Sequence, residues 1–165
     1  MKSLQLTDRG SKMKKIVLTR IDDRLLHGQV IVSWIPFLNI DEIVIIDDEY
    51  AGDDFMSSLI KEASPEHLKV DVLTVEESKE YLESDDDGNR ILILSRFVEN
   101  IERLITSGIK IDKVNIGGLG FCKGRKKFVN AIHLSDSELE LLKDISSGGT
   151  EVEVQMLPKD KAIKL

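Results

Sequence analysis

The sequence has 165 residues, of which 41% are hydrophobic and 32% charged, the composition of an ordinary globular protein with a sizeable core. The net charge of −7 argues against nucleic acid or an anionic membrane surface as a partner. The single cysteine, Cys122, excludes an internal disulfide and a cysteine-based zinc site. No apolar run is long enough to cross a bilayer and no segment has the pattern of a signal peptide, so we expect a cytoplasmic protein.

Strand-like and helix-like segments alternate along the chain. Residues 1–12 are predicted to form a polar tail, and residues 13–165 one domain, because no repeat, linker or compositional break interrupts them. The alternation predicts an α/β fold, doubly wound, with a mostly parallel sheet of about seven strands and helices on both faces. The predicted strands are 15–19, 42–47, 70–75, 90–94, 113–116, 127–133 and 151–156, and the predicted helices are 27–37, 53–63, 76–83, 96–107 and 135–145.

The segment Ile16–Val30, which reads IVLTRIDDRLLHGQV, is the most informative stretch of the chain. An apolar run ends in four charged residues, and His27 follows just before an apolar run of helical character, which predicts a strand, a tight charged turn and a helix start. Open α/β sheets place their chemistry at the carboxyl ends of the strands. A helix N-terminus favours an anion, and Arg24 adds a planar cation suited to phosphate oxygens. The pattern indicates a neutral imidazole nucleophile beside a phosphate site.

The segment Arg20–Val30, RIDDRLLHGQV, closely resembles the signature of the IIB component of the mannose/fructose/sorbose family of sugar phosphotransferase systems. Further family-like features follow in order over roughly residues 14–158: Trp34, Ile45–Glu49, Ala63–Pro65, and Asn115–Gly118 before a basic stretch. The resemblance implies a phosphotransferase whose signature histidine, here His27, carries a phosphoryl group from a IIA protein to a sugar. It also implies IIC and IID membrane components as partners, and no metal or other cofactor.

The resemblance further implies the strand order 3-2-4-1-5-6-7, with the last strand antiparallel. Strand 1 would then lie between strands 4 and 5, so that Ser95 on one side and Gly117 and Gly118 on the other flank His27. Ser95 is either a helix N-cap or a donor to the phosphoryl group. The two glycines permit a close approach of the backbone, and we count them among the phosphate-binding or orienting residues.

Several alternatives stay open at the charged turn. Arg24 either binds phosphate oxygens or pairs with a neighbouring carboxylate on the surface. Asp22 and Asp23 either cap the helix or orient Arg24 or the imidazole, since a carboxylate that accepts a ring N–H fixes the tautomer. His67 is expected to be solvated and His133 to be half-buried and structural. A homo-oligomer is also compatible with the sequence.

The segment Gly117–Lys127, GGLGFCKGRKK, is the most basic part of an acidic chain. It is either a solvated hairpin or a positive rim that attracts an acidic or phosphorylated partner. It lacks P-loop spacing, so nucleotide binding is weakly supported.

The runner-up function is a receiver-like signalling switch, with Asp22/Asp23 and Asp47/Asp48 as an acidic magnesium pocket. The sequence argues against it, because the predicted strand 3 ends without an acceptor aspartate and strand 5 without a lysine. Asp47 and Asp48 are instead expected to act as caps or turn formers. A dinucleotide-binding enzyme would need a glycine-rich first turn, which residues 22–26 lack.

Overall fold

A computed structural model describes residues 13–165, so the tail predicted over residues 1–12 lies outside the described part. The main sheet has seven strands in the order β3-β2-β4-β1-β5-β8-β9, and all neighbours are parallel except β8 and β9. The strands are β1 (Lys15–Asp22), β2 (Glu42–Ile46), β3 (Lys69–Leu73), β4 (Arg90–Ser95), β5 (Lys113–Gly118), β8 (Glu151–Val154) and β9 (Ile163–Lys164). The predicted α/β class and the mostly parallel sheet are confirmed.

Helices cover both faces of the sheet. The helices are α1 (a π-helical segment Val30–Trp34 continued by Ile35–Leu38), α2 (Asp48–Ala51), α3 (Asp54–Glu62), α4 (Val75–Glu83), α5 (Val98–Thr106) and α6 (Asp136–Ser147). One buried apolar cluster joins α4, α5 and α6 to the sheet, and a second joins α1 and the partly buried Ile60 of α3 to the opposite face. All five residues of β2 are buried, as expected of a strand covered on both sides. None of the helices in residues 13–165 is long and apolar enough to span a membrane.

Two predictions about the second half of the chain are wrong. Residues 127–133 do not add a strand to the main sheet; they lie in a separate hairpin of β6 (Lys126–Val129) and β7 (Ile132–Leu134). The chain reverses at Asn130, whose φ of 49° is left-handed. The predicted antiparallel last strand is confirmed, but it is the short β9, which pairs with β8, and not the segment 151–156, because β8 runs parallel to β5. Once the hairpin is left out of the count, the implied order matches the sheet.

The helix after His27 begins at residue 28 and runs to residue 38, close to the predicted 27–37, but its middle is π-helical over Val30–Trp34. Ile35 donates its N–H to the Val30 carbonyl, five residues back. Pro36 follows directly, and in an α-helix its ring would clash with the carbonyl four residues back and it has no N–H to donate. The wider π turn accommodates the proline, and such turns are frequent beside functional sites.

Candidate phosphoryl-transfer site

The site lies at the carboxyl end of β1, which is central in the sheet between β4 and β5. β1 is longer than predicted, because Arg20, Ile21 and Asp22 continue the strand and are fully buried. The tight turn therefore begins only at Asp23. The free-energy cost of burying the charges of an arginine and an aspartate inside a sheet must be offset by contacts with each other and with neighbouring polar groups.

The turn after β1 holds its shape through contacts to Asp22. The Leu25 N–H donates to the Asp22 carbonyl at 3.0 Å, and the Arg24 N–H donates to Asp22 Oδ1 at 3.1 Å. Leu25 has a left-handed φ of 53°, which costs a non-glycine residue about 1–2 kcal/mol. Its side chain is buried in the apolar cluster under α1, and this burial holds the turn in its strained form.

Asp22 orients the imidazole of His27. The Nε2 atom of His27 lies 2.9 Å from Asp22 Oδ2, and the His27 side chain is 17% exposed. Burial alone would raise the pKa of the Asp22 carboxyl, but hydrogen bonds from Arg24 and His27 and the charge of Arg20 outweigh it, so the pKa is lowered. A carboxylate ionised at neutral pH fixes the proton on Nε2, and the lone pair of Nδ1 is then free for chemistry.

Arg24 sits at the surface edge of this group, with its side chain 45% exposed. Its Nε donates to Asp22 Oδ1 at 3.1 Å and its Nη2 to Asp22 Oδ2 at 3.2 Å, and Nη2 also contacts Gln29 Oε1 at 3.3 Å. The Asp22 carboxylate thus contacts both Arg24 and the imidazole, the two groups that it was expected to orient. The ion pair between Arg24 and Asp22 holds the guanidinium beside His27. The Nη1 atom of Arg24 takes part in none of these contacts.

Arg20 is a functional candidate that the sequence reasoning missed. Its guanidinium contacts Asp22 Oδ2 at 3.4 Å and Asn115 Oδ1, and donates to the carbonyls of Gln155 and Met156 at 2.9 and 3.0 Å. Burial lowers the pKa of Arg20 to about 10, against the opposing effect of Asp22. Arg20 therefore stays charged at neutral pH and is a buried counter-charge for Asp22. Its bonds to the carbonyls of Gln155 and Met156 connect this ion pair to the C-terminal segment.

The predicted glycines lie directly against these charged groups. A Cβ at Gly117 would lie 1.8 Å from Arg20 Nη2, and a Cβ at Gly118 would lie 3.0 Å from both Arg24 Nη2 and Asp22 Oδ1. Only glycine lets β5 approach the charged cluster so closely. The two glycines leave room for Arg20, Asp22 and Arg24, while their role in orienting these groups or binding phosphate stays a prediction.

We expect Gly117→Ala to lower the free energy of unfolding by about 1–3 kcal/mol, the usual cost of overpacking a closed site. The clash cannot be relieved cheaply, since the Arg20 guanidinium is buried and held by Asn115, Gln155 and Met156. Urea denaturation measures the change. Gly28→Ala is the matched control, because nothing lies within 4 Å of a Cβ there. Equal unfolding midpoints for the two variants would contradict this packing argument.

Two further predicted residues lie near the site but face other partners. Asp23 Oδ2 accepts from the Gly120 N–H at 2.7 Å, so Asp23 joins the turn to the loop after β5 rather than capping a helix. Ser95 is fully buried, and its hydroxyl donates to the Phe97 carbonyl at 3.1 Å and accepts from the Phe97 N–H at 3.2 Å. Ser95 would have to give up the first of these bonds to donate to a phosphoryl group.

The carboxylates considered for a magnesium pocket each contact other groups of the protein. Asp47 caps α2 by accepting the Tyr50 N–H at 3.0 Å and pairs with Arg96 at 2.6 Å, and Asp48 accepts the Val75 N–H at 3.0 Å. The expectation of caps and turn formers is confirmed. Within residues 13–165, no group of three or more His, Cys, Asp or Glu side chains could hold a metal ion.

The other two histidines match their predicted surroundings. His67 is exposed, whereas His133 is half-buried, with its Nδ1 3.3 Å from the Leu119 carbonyl. Beside Arg24, a cavity of about 250 Å³ opens between the turn and the helices α2 and α3. Unlike these two histidines, His27 lies at a strand end, and its imidazole contacts a buried carboxylate that also pairs with a half-exposed arginine.

The chain belongs to the sorbose subfamily of IIB components of the phosphotransferase system, whose family model matches residues 16–165. Among solved structures, the N-acetylgalactosamine-specific IIB component 1 from Escherichia coli superposes with a TM-score of 0.86 at 28% identity, covering 92% of this chain and 99% of that one. The predicted family is confirmed.

Two relatives share about a third of the aligned residues with this chain. It is 32% identical to the mannose-specific EIIAB component of Escherichia coli K12, over 91% of this chain and 47% of the relative. It is 30% identical to the fructose-specific EIIB component of Bacillus subtilis 168, over 90% of this chain and 91% of the relative. The chain thus spans about half the length of the mannose-specific relatives, and most of the fructose-specific one.

Proposed function

We propose that this protein is a cytoplasmic phosphocarrier that accepts a phosphoryl group on His27 from a phosphorylated IIA protein and passes it to a sugar. The observation that carries the proposal is the contact of 2.9 Å between His27 Nε2 and the buried Asp22 carboxylate. It leaves Nδ1 as the nucleophilic nitrogen. As the bond from Nδ1 to phosphorus forms, the bond from phosphorus to the partner's imidazole breaks, and the partner's nitrogen keeps the electron pair.

The surrounding charges suit this transfer. The imidazole of His27 gains positive charge as its bond to phosphorus forms, and the Asp22 carboxylate stabilises that charge through Nε2–H. Arg24 Nη1 and the first N–H groups of the helix that starts at residue 28 are available for the equatorial oxygens. Phosphoryl transfer needs positioning and charge stabilisation more than covalent help. The protein requires no nucleotide, metal or other cofactor in this scheme.

The partners are proposed from the family. The name of the Escherichia coli relative joins a IIA and a IIB component, which supports a IIA protein as the donor. The acceptor is a sugar taken up through IIC and IID membrane components, on which the loaded protein would dock from the cytoplasmic side. The named relatives are specific for mannose, fructose and N-acetylgalactosamine, so the proposal covers a sugar as a class.

The test is to incubate the protein with phosphoenolpyruvate, the upstream carriers and IIA of the same cell, and to map the phosphorylated peptide. We expect the label on the peptide that contains His27. A phosphoramidate is labile in acid and durable in base, whereas the acyl phosphate of a receiver is lost in base. A label that survives acid and is lost in base would overturn the proposal.

Replacing Arg24 should slow transfer without preventing it. A charged donor that binds oxygens more strongly in the transition state contributes roughly 2–4 kcal/mol, or about 30- to 1000-fold in rate. We expect such a loss for Arg24→Ala and a smaller one for Arg24→Lys, which keeps the charge but not the planar fork. Rapid-quench transfer from phosphorylated IIA measures both rates.

The matched control is Arg103→Ala, which removes another half-exposed arginine, paired with Asp48 and Glu76. An exposed pair of this kind should change the rate by less than about fivefold. If Arg24→Ala behaves like Arg103→Ala, then Arg24 has no role in transfer, and the helix start and the glycine loop carry the charge stabilisation alone.

A further inference from the structure

The hairpin of β6 and β7 and the loop before it carry an exposed surface that combines aromatic and cationic groups. Phe121 is 78% and Phe128 43% exposed, and three exposed lysines accompany them. We call this the hairpin surface: Phe121, Lys123, Lys126, Lys127 and Phe128. No acidic residue occurs between Gly117 and Lys127, so the segment is strongly positive in a chain of net charge −7. Exposed aromatic residues are enriched at interaction sites, and the lysines around them give this patch a positive charge that can steer an acidic partner.

The hairpin surface is held rigidly. Arg125 forms a two-pronged ion pair with Glu138 of α6 at 2.7–3.1 Å, and both side chains are about nine-tenths buried. Arg125 Nη1 also donates to the Gly120 carbonyl at 3.2 Å, and the His133 N–H donates to the Leu119 carbonyl at 2.7 Å. Since these bonds exist without a partner, docking on this surface loses little conformational freedom.

The same hairpin is joined directly to the turn that carries His27. Asp23 accepts the Gly120 N–H at 2.7 Å, and the Asp23 N–H donates to the Gly118 carbonyl at 2.9 Å. Phe121 therefore follows immediately after a residue bonded to the turn. The loop that carries Phe121 therefore lies at the same, carboxyl end of the sheet as the turn with His27.

We propose that the hairpin surface docks the phosphorylated donor protein through the donor's exchange face, which is the surface around its phosphoryl group. This inference rests on the proposed function. The donor's phosphoryl group carries nearly two negative charges, so its exchange face is anionic on arrival. An acceptor with a net charge of −7 repels that face unless a local positive surface steers the encounter. Lys123, Lys126 and Lys127 supply the charge, and Phe121 supplies an apolar anchor.

The charge pattern favours a protein over a membrane as the occupant. Polybasic segments that bind anionic lipid have about four to eight cations, whereas this surface has three lysines. Lys126 is also partly neutralised by Asp136, at 3.5 Å. The strong negative charge of the rest of the chain would repel an anionic bilayer, but it does not oppose a small acidic face placed on the hairpin.

The first test reverses the charge of the surface. We expect Lys123→Glu combined with Lys127→Glu to raise the KM for phosphorylated IIA about tenfold at low ionic strength, with kcat unchanged. The difference should shrink to less than about threefold near 0.5 M salt, where charges are screened within a few ångströms. The matched control is Lys15→Glu combined with Lys110→Glu, which makes the same charge change at the opposite, amino-terminal edge of the sheet. Equal KM values for the two double variants would overturn the inference.

The second test uses the native Cys122, the chain's only cysteine, which is exposed in the loop just before the hairpin and lies between Phe121 and Lys123. Phosphorylated IIA should slow alkylation of Cys122 in the wild type and in the control double variant, but not in the Lys123→Glu, Lys127→Glu variant. Failure to protect Cys122 in the wild type would overturn the inference. Sedimentation with vesicles of phosphatidylglycerol and phosphatidylcholine tests a membrane as the occupant. If vesicle binding depended on Lys123 and Lys127 while the KM for phosphorylated IIA did not, the inference would also be overturned.

Chemical phosphorylation separates this inference from the proposed function. Phosphoramidate, a small phosphoryl donor, should label His27 equally in the wild type and in both double variants, because it needs no docking surface. If the wild type is labelled at His27 by phosphoramidate and by IIA, but charge reversal has no effect, only the docking inference fails. If neither donor labels His27, the proposed function itself fails.

Discussion

The variant His27→Ala is expected to lose phosphoryl acceptance completely while remaining folded. The substitution removes the accepting nitrogen, and no other group in the turn can form a phosphoramidate of this kind. The fold should survive, because the side chain is partly exposed and Asp22 keeps Arg20 and Arg24 as partners. Labelling from radioactive phosphoenolpyruvate through the upstream carriers measures acceptance, and circular dichroism checks the fold.

The other two histidines provide matched controls. His67 is exposed and His133 packs edge-on against Phe121 at 5.9 Å, away from the carboxylate that orients His27. His67→Ala and His133→Ala should therefore still be labelled. Normal labelling of folded His27→Ala protein would remove the basis of the proposed mechanism.

The sequence predicted the class of fold well, because its signal is local. The alternation of strand-like and helix-like segments and the helix predicted over 135–145 depend on neighbouring residues, and the structure has both. The order of the strands depends on contacts between distant segments and came only with the family resemblance. The hairpin of β6 and β7 was predicted as one strand, although Asn130, a residue that tolerates left-handed backbone, interrupts that strand.

Within the site, the sequence brought the right local residues together but misjudged their burial. His27, Arg24 and Asp22 lie within one turn, and their mutual contacts follow from that spacing. Arg20 looked like part of a solvated charged turn, because charge normally predicts exposure. Its partners Asn115 and Gln155 are 95 and 135 residues away along the chain, so their contribution appears only in the folded molecule. The apolar Ile21, which stands between Arg20 and Asp22, was the one available signal that the buried strand continues through these charged residues.

Asp22→Asn is expected to slow phosphoryl transfer to His27 by about 10²- to 10⁴-fold, the range seen when a carboxylate that orients a catalytic imidazole is replaced. The amide no longer stabilises positive charge on the ring, and its NH₂ group can donate to Nε2 and so move the ring proton to Nδ1. The lowered pKa of Asp22 keeps the wild-type carboxylate ionised throughout the neutral range, so the contrast persists there. Rapid-quench transfer from phosphorylated IIA measures the rate.

Asp23→Asn is the matched control, because the same chemical change falls one residue away and the amide oxygen can still accept the Gly120 N–H. It should change the rate by less than about fivefold, the scale of an exposed polar contact. Because Asp22→Asn leaves Arg20 without a buried counter-charge, thermal unfolding must show that the variant is folded at the assay temperature. Nitrogen NMR of the His27 ring then gives the decisive comparison. We expect the proton on Nε2 in the wild type and in Asp23→Asn, and a shift towards Nδ1 in Asp22→Asn. A folded Asp22→Asn protein with an unchanged tautomer and a normal rate would show that Asp22 holds Arg20 and Arg24 in place but does not prepare the imidazole for attack.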